Sequence, residues 1–239
     1  MKKFLFAFTL LFNCFLFSNA QTSTTDSAWI REHYYKIERQ IPMRDGIKLF
    51  TAIYIPKDSS ELHPILMTRT PYSCAPYGEA NWPAFWYSYG KAYLKEGYIF
   101  VQQDVRGRWM SEGDFVNVRP FNAAKKTPKD IDEASDSYDA IDWLVKNIPH
   151  NNGKVGVFGI SYPGFYSTMA AASNHPALLA VSPQAPVTNW FIGDDFHHNG
   201  AFFAMDAFGF YSALGSGFGQ PHPHPTAVPA RSVGYPIHD

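Results

Sequence analysis

A serine flanked by glycines, directly after a short apolar run, has the spacing of a nucleophile at a strand-to-helix turn. Ser161 lies two residues after Gly159 and three residues before Gly164, and the apolar run covers residues 154–158. A hydroxyl nucleophile must stand clear of the sheet, and the sharp turn that exposes it needs small residues where the backbones crowd. Pro163 departs from the usual five-residue pattern, but the first helical turn tolerates proline because its N–H groups lack helical partners. We predict that Ser161 is a nucleophile; the alternative is a plain Gly-Ser turn.

The elements around this turn alternate between strand and helix patterns. Short strand patterns are predicted at residues 64–70, 98–101, 154–158 and 178–181. Helical spacing is predicted at residues 85–96, from Asp130 or Asp132 to 145, and through 168–173, with Ala134, Tyr138, Ile141 and Val145 on one helical face. Strands that alternate with helices at this spacing indicate βαβ units, and therefore a mostly parallel, doubly wound sheet with helices on both faces.

The chain before these units predicts an antiparallel hairpin. Residues 35–41 alternate between apolar and polar side chains, residues 44–46 carry a turn signal, and residues 47–55 read as the returning strand. Alternation of this kind on both sides of a glycine-containing turn is typical of a hairpin. Residues 106–129 are expected to form a long loop.

Composition limits the class of partner. The 239 residues carry a formal net charge of −1, and 46% of them are hydrophobic, so the chain can build a substantial core. Without a run of basic residues it offers no electrostatic footprint for nucleic acid. This balance favours a small molecule or a peptide as the partner and leaves the oligomeric state open.

The first twenty residues read as an export signal. Lys2 and Lys3 precede an apolar stretch over residues 4–17, and residues 18–20 supply a small-residue cleavage site. The alternative is a retained membrane anchor, but the stretch is shorter than the roughly 20 residues that a spanning helix needs. We expect a periplasmic or extracellular protein with no stable membrane anchor. Residues 21–33 would form a polar tail.

Four ordered motifs resemble one family of serine hydrolases. They are Arg-Thr-Pro-Tyr at residues 69–72, Asp-Val-Arg-Gly at 104–107 with Ser-Glu-Gly at 111–113, Gly-Ile-Ser-Tyr-Pro-Gly at 159–164, and Gly-Asp-Asp-Phe at 193–196 with Asn-Gly-Ala-Phe at 199–202. The family contains cocaine esterase, X-prolyl dipeptidyl peptidases and α-amino-acid ester hydrolases, and the last motif is closest to the ester hydrolases. The resemblance implies an α/β-hydrolase fold, with the core at residues 34–190 and the start of a helical cap at 191–239.

The resemblance also implies roles for individual residues. The backbone N–H of Tyr162 and the hydroxyl of Tyr72 would form the oxyanion hole, and Asp195 would belong to a carboxylate cluster that holds a substrate ammonium. The alternatives are a surface aromatic for Tyr72 and a helix N-cap for Asp195. Asp104 and Arg106 are expected to form a buried scaffold pair. No cofactor and no metal ion are expected.

The base and the acid of a catalytic triad have no convincing candidates in the sequence. In this fold the chain order is serine, acid, histidine. His197 and His198 fall in the cap motif, whereas His222 and His224 fall in a proline-rich stretch that reads as a loop, with a metal site as the alternative. The resemblance to the family implies that the acid and the histidine lie beyond Asp239, in a longer protein.

Three functions fit these observations. The first is an exported hydrolase that cleaves esters or amides of α-amino acyl groups through an acyl-enzyme. The second is an X-prolyl dipeptidyl peptidase or a general carboxylesterase, which would not need the same carboxylates. The third is a catalytically inactive binding domain with a hydrolase-like fold.

Overall fold

The computed structural model describes residues 23–83, 93, 95–189, 191–193 and 195–214. The expected export signal lies outside these residues, as do most of the predicted helix over 85–96 and the proline-rich stretch after residue 214. Within the described part of the chain, no helix is long and apolar enough to span a membrane.

The described residues begin with a helix where the sequence predicted a polar tail. Helix α1 (Ser23–His33) buries Ile30, which is only 3% exposed, and packs it with Trp29 against an apolar cluster that includes Tyr34. The Nδ1 atom of His33 lies 2.8 Å from the carbonyl oxygen of Trp29, and the two rings stack. Two apolar residues one turn before the first strand are enough to dock an otherwise polar helix.

The predicted hairpin is confirmed. Strand β1 (Tyr34–Pro42) pairs antiparallel with β2 (Lys48–Pro56), from Tyr34 opposite Pro56 to Pro42 opposite Lys48. Gly46 in the connecting turn has φ +90°, a left-handed conformation that glycine adopts without strain.

The remaining strands extend this hairpin into one six-stranded sheet. They are β3 (His63–Thr70), β4 (Ile99–Asp104), β5 (Asn151–Ile160) and β6 (Leu178–Gln184), and the spatial order is β1-β2-β4-β3-β5-β6. The β1–β2 and β2–β4 pairs are antiparallel, whereas β4–β3, β3–β5 and β5–β6 are parallel. The mostly parallel sheet with an antiparallel N-terminal hairpin is therefore confirmed.

Two helices follow within the parallel part of the sheet. Helix α2 (Glu133–Asn147) begins at Asp132, whose carboxylate accepts the Ser135 N–H while the Ser135 hydroxyl accepts the Asp132 N–H. This reciprocal cap confirms one of the two predicted starts. Helix α3 (Tyr162–Ala172) starts directly after Ser161. A short hairpin of β7 (His197–His198) and β8 (Ala201–Phe202) and helix α4 (Ala204–Leu214) complete the described elements.

The buried face of α2 is rotated from the predicted one. Tyr138 and Val145 are only half-buried, whereas Ala140 and Leu144 are fully buried. Ala134 and Ile141 of the predicted face are buried as expected, so the face differs from the prediction at only two of its four positions.

Side chains of β2 alternate between the two faces of the sheet. Leu49 and Ile53 join the cluster that packs under α2 and α3, whereas Phe50 and Tyr54 join the cluster that holds Ile30 of α1. A strand places successive side chains on opposite faces, so the sheet has an apolar core on each side.

Candidate active site

Ser161 occupies a strained turn between β5 and α3. Its backbone has φ 61° and ψ −121°, a region that residues with a Cβ rarely adopt, and its side chain is exposed. The Ser161 N–H donates to the carbonyl oxygen of Gln184 at the end of β6, at 2.9 Å. Such conformations persist only where the surroundings over-determine them, and they cluster at functional sites.

Both glycines of the motif are required by close backbone contacts. A Cβ at Gly159 would lie 2.2 Å from the carbonyl oxygen of Pro163, and one at Gly164 would lie 2.5 Å from the carbonyl oxygen of Gln184. No real Cβ approaches backbone so closely. The second glycine therefore belongs at position 164, where α3 crosses β6, and Pro163 is accommodated in the first helical turn.

Tyr162 is held by both its backbone and its side chain. Its N–H lies in the first turn of α3, among the donors that have no partner within a helix. Its ring is buried and stacks on Tyr166, and its hydroxyl accepts the Val118 N–H at 2.9 Å and donates to Asn117 Oδ1 at 2.5 Å. Burial raises the pKa of Tyr162, so the phenol stays protonated.

Tyr72 meets Tyr162 at the same edge of the sheet. Tyr72 follows β3, which is parallel to its neighbour β5. The residues that follow these two strands therefore lie at the same edge of the sheet, where the carboxyl ends of the parallel strands meet. The Tyr72 ring is 40% exposed and contacts the Tyr162 ring edge-on, with centroids 6.2 Å apart. The two residues predicted to form the oxyanion hole are thus adjacent, next to Ser161.

Asp104 and Arg106 are buried as predicted, but they do not pair with each other. Arg106 forms ion pairs with Asp45 and Asp136, each at 2.7 Å. Asp104 accepts hydrogen bonds from the segment after β3 instead. Strand β4 ends at Asp104 and the chain turns at residues 106–107, which directs these two charges to different partners.

Sequence reasoning also missed a buried charge cluster beneath α3. Arg69 is 1% exposed, lies 3.1 Å from a Glu133 carboxylate oxygen, and places its guanidinium over the Tyr166 ring. Burial raises the pKa of Glu133 to about 7, although Arg69 opposes this change. A cation inside an otherwise apolar strand was the available signal, but its partner is 64 residues away.

Asp195 is the first residue of the cap segment, residues 195–214, and lies on its exposed part. Its side chain is exposed, whereas the next residue, Phe196, is buried. Asp195 caps none of the described helices, because α4 begins only at Ala204. The rings of His197 and Phe202 lie 5.0 Å apart across the β7–β8 pair, so this histidine packs within its own hairpin.

The family profile of X-Pro dipeptidyl-peptidase (S15 family) matches residues 45–232, which include the Ser161 turn, Tyr72 and Asp195. The chain belongs to the S15 family. The S15 chain is 29% identical to the cocaine esterase of Rhodococcus sp. (strain MB1 Bresler) over 182 residues, which cover 74% of this chain and 28% of that protein.

Two solved structures resemble the S15 chain over most of its length. An aminopeptidase from a marine sediment Thaumarchaeota archaeon is 37% identical, with a TM-score of 0.70 over 78% of this chain and 31% of its own. An α-amino acid ester hydrolase is 39% identical, with a TM-score of 0.69 over 84% of this chain and 32% of its own. The expected α/β-hydrolase fold is confirmed. The chain spans about a third or less of these relatives.

Proposed function

We propose that this S15 chain is the nucleophile-bearing part of a serine hydrolase that cleaves esters or amides through an acyl-enzyme. The observation that carries the proposal is Ser161, exposed in a strained turn beside Tyr162 and Tyr72. Strain at an exposed serine costs on the order of 1–3 kcal/mol, and a merely structural turn would not need it.

The proposed chemistry follows from this arrangement. Ser161 Oγ attacks the substrate carbonyl carbon and transfers its proton to a histidine, while the carbonyl oxygen becomes an oxyanion. The Tyr162 N–H and the Tyr72 hydroxyl donate to that oxyanion. The leaving group departs with the proton, and water then hydrolyses the acyl-enzyme. We place the acid and the histidine of the triad beyond Asp239, in keeping with the chain order of this fold.

Labelling tests the nucleophile. In the full-length protein, a fluorophosphonate probe should label wild type, while Ser161→Ala should neither label nor turn over an ester. Ser182→Ala removes an exposed hydroxyl from β6 and serves as the matched control; it should label like wild type. Undiminished labelling of Ser161→Ala would refute the assignment, and an unlabelled wild type would favour the inactive binding domain.

We propose further that the acyl group carries a free α-amine. The names of an aminopeptidase and an α-amino acid ester hydrolase among the similar structures support this choice, together with Asp195 in the cap segment. Wild type should hydrolyse phenylglycine methyl ester about tenfold or more faster than its N-acetyl form, because acetylation removes the charge that a carboxylate recognises. Equal kcat/KM values for the two esters would favour a general carboxylesterase. Release of X-Pro dipeptides would favour the dipeptidyl peptidase.

Export is the remaining part of the proposal. Residues 1–20 carry the composition of a secretion signal. The mature protein recovered from the periplasm or medium should begin at Gln21, which N-terminal sequencing would test. A retained Met1 on membrane-bound protein would favour the anchor.

A further inference from the structure

Two segments at the edge of the sheet are bonded to each other. The oxyanion segment, residues 71–77, follows β3 and carries Tyr72; the β4 loop, residues 104–110, follows the neighbouring strand. The carbonyl oxygen of Pro71 accepts two hydrogen bonds from the β4 loop, from Trp109 Nε1 at 2.8 Å and from Arg108 Nε at 3.0 Å. Two side chains of the β4 loop therefore fix the carbonyl group of Pro71, the residue directly before Tyr72.

The carboxylate of Asp104 holds the other side of the oxyanion segment. Its side chain is fully buried; one oxygen accepts the Cys74 N–H at 2.8 Å, and the other accepts the Tyr77 hydroxyl at 2.9 Å. The second oxygen also lies 3.4 Å from the Met110 nitrogen, within its own loop. One carboxylate therefore bonds positions two and five residues after Tyr72.

The oxyanion segment and the β4 loop each contain a residue with a strained backbone conformation. Ser73, the residue after Tyr72, has φ 114°, and Trp109 has φ 52°. A residue with a Cβ keeps such angles only where its surroundings impose them. The bonds to Pro71 and Cys74 flank Tyr72 and Ser73 and help to hold this conformation, together with the hydrogen bonds of the Ser73 hydroxyl to Tyr77 and Ala75.

Burial of Asp104 is costly, and its hydrogen bonds offset that cost. Burial raises the pKa of Asp104 to about 6, and the hydrogen bonds from Cys74 and Tyr77 act against the rise. A buried carboxylate needs donors of this kind to remain ionised. Its two oxygens accept separately, one from the Cys74 N–H and the other from the Tyr77 hydroxyl, so one carboxylate joins two positions of the oxyanion segment.

We propose that Asp104, together with Trp109, is a positioning residue that sets the location of the Tyr72 hydroxyl for the reaction. The inference rests on the proposed oxyanion role of Tyr72. Asp104 itself does not touch the substrate; it acts through the backbone of the oxyanion segment. A hydroxyl donor stabilises an oxyanion only when its oxygen lies at hydrogen-bond distance from where the charge develops, so a small shift of the segment lowers kcat.

A double-mutant cycle in the full-length protein tests the inference. Tyr72→Phe alone should lower kcat for an ester by roughly 10²–10³-fold. Asp104→Asn alone should lower kcat by about tenfold or more, with KM changed by less than about threefold, because the interaction acts in the transition state. In the Tyr72→Phe background, Asp104→Asn should change kcat by less than about twofold. Effects that multiply instead would overturn the inference.

Milder variants keep the test informative if Asp104→Asn fails to fold. Tyr77→Phe removes one donor to Asp104 with little change of volume, and Trp109→Phe removes one donor to Pro71 while keeping an aromatic ring of smaller size. Both should lower kcat and lose that effect in the Tyr72→Phe background. If neither lowers kcat in the presence of Tyr72, the inference is overturned.

The matched control is Asp132→Asn. Asp132 is equally buried and also accepts backbone N–H groups, from Ser135 and Asn122, but it lies at the start of α2. Its variant should lose stability without loss of kcat per labelled active site. An unchanged kcat in Tyr72→Phe alone would instead refute the oxyanion role in the proposed function, which distinguishes that failure from failure of the inference.

Discussion

The Ser161 turn and the cap segment, residues 195–214, both carry short recognisable motifs, but the turn is closely packed whereas much of the cap segment is exposed. At the turn, backbone atoms approach the glycines closely and the Tyr162 ring is buried. In the cap segment Phe202, Met205 and Phe208 are 59%, 82% and 73% exposed. The difference shows that a motif determines geometry where its own backbone is crowded. In the cap motif only some of the side chains are fixed in this way, since Phe196 is buried whereas Phe202 is exposed.

The largest expected effect comes from the same substitution made in both regions. Gly159→Ala places a Cβ against the Pro163 carbonyl, which cannot move without distorting the turn, so we expect a loss of about 3 kcal/mol or more and loss of activity. Gly209→Ala, in α4, has no atom within 4 Å of its new Cβ and should gain up to about 1 kcal/mol. Urea denaturation and kcat measure both. Similar losses in the two variants would remove the contrast.

The dependence of stability on pH should arise from buried carboxylates near the turn. Burial raises the pKa of Asp104 to about 6, so the folded protein holds a proton that the unfolded chain releases above its ordinary pKa near 3.8. The free energy of unfolding should therefore fall as pH rises from about 4 to about 6, by on the order of 2–3 kcal/mol from this group. Among titratable groups, Cys74, Tyr77 and Arg108 interact with Asp104, and Lys36 and Glu38 in turn interact with Cys74.

Urea denaturation at several pH values should show a shallower decline in Asp104→Asn than in wild type. Glu133, whose pKa is raised to about 7, remains in both proteins and is therefore cancelled in the comparison. An identical decline in the two proteins would show that Asp104 is not the source.

Removal of one hydroxyl on either side of Asn117 compares the two regions directly. Tyr162→Phe leaves the buried Val118 N–H without its acceptor and should cost about 1–3 kcal/mol. Tyr211→Phe, in α4, removes the acceptor of the Asn117 side-chain amide, which lies near solvent, and should cost less than about 1 kcal/mol. Thermal unfolding of both variants tests the order, and a larger loss in Tyr211→Phe would reverse it.

The smallest effect is expected at Asp195. Because its side chain is exposed, Asp195→Asn should lower the preference for a free-amine ester over its N-acetyl form only about two- to fivefold. Asp206→Asn, which alters another exposed carboxylate on the cap segment, should leave the preference unchanged. The measurement is kcat/KM for both esters. Equal effects of the two substitutions would mean that Asp195 acts only through general charge.

The features that the sequence predicted are those set by neighbours along the chain. The Ser161 turn, the N-terminal hairpin and the Asp132 cap depend on residues within a few positions of one another. The ion pairs of Arg69 and Arg106 join residues 30 to 67 positions apart, and no local pattern specifies which carboxylate each guanidinium meets. Helix α1 was missed for a related reason, because its stability depends on a surface formed by later strands.

The strand order also has a consequence for the folding of this protein. The hairpin of β1 and β2 can form from contiguous chain, whereas Tyr72 approaches Ser161 only after β5 has paired with β3. Bringing β3 and β5 together closes a long loop of the chain, which is entropically costly, and non-local pairing of parallel strands is slow. During synthesis the nucleophile therefore emerges long after Tyr72, and its strained backbone is anchored only when β6 supplies the Gln184 carbonyl. The site therefore forms late in folding, after β3, β5 and β6 have paired.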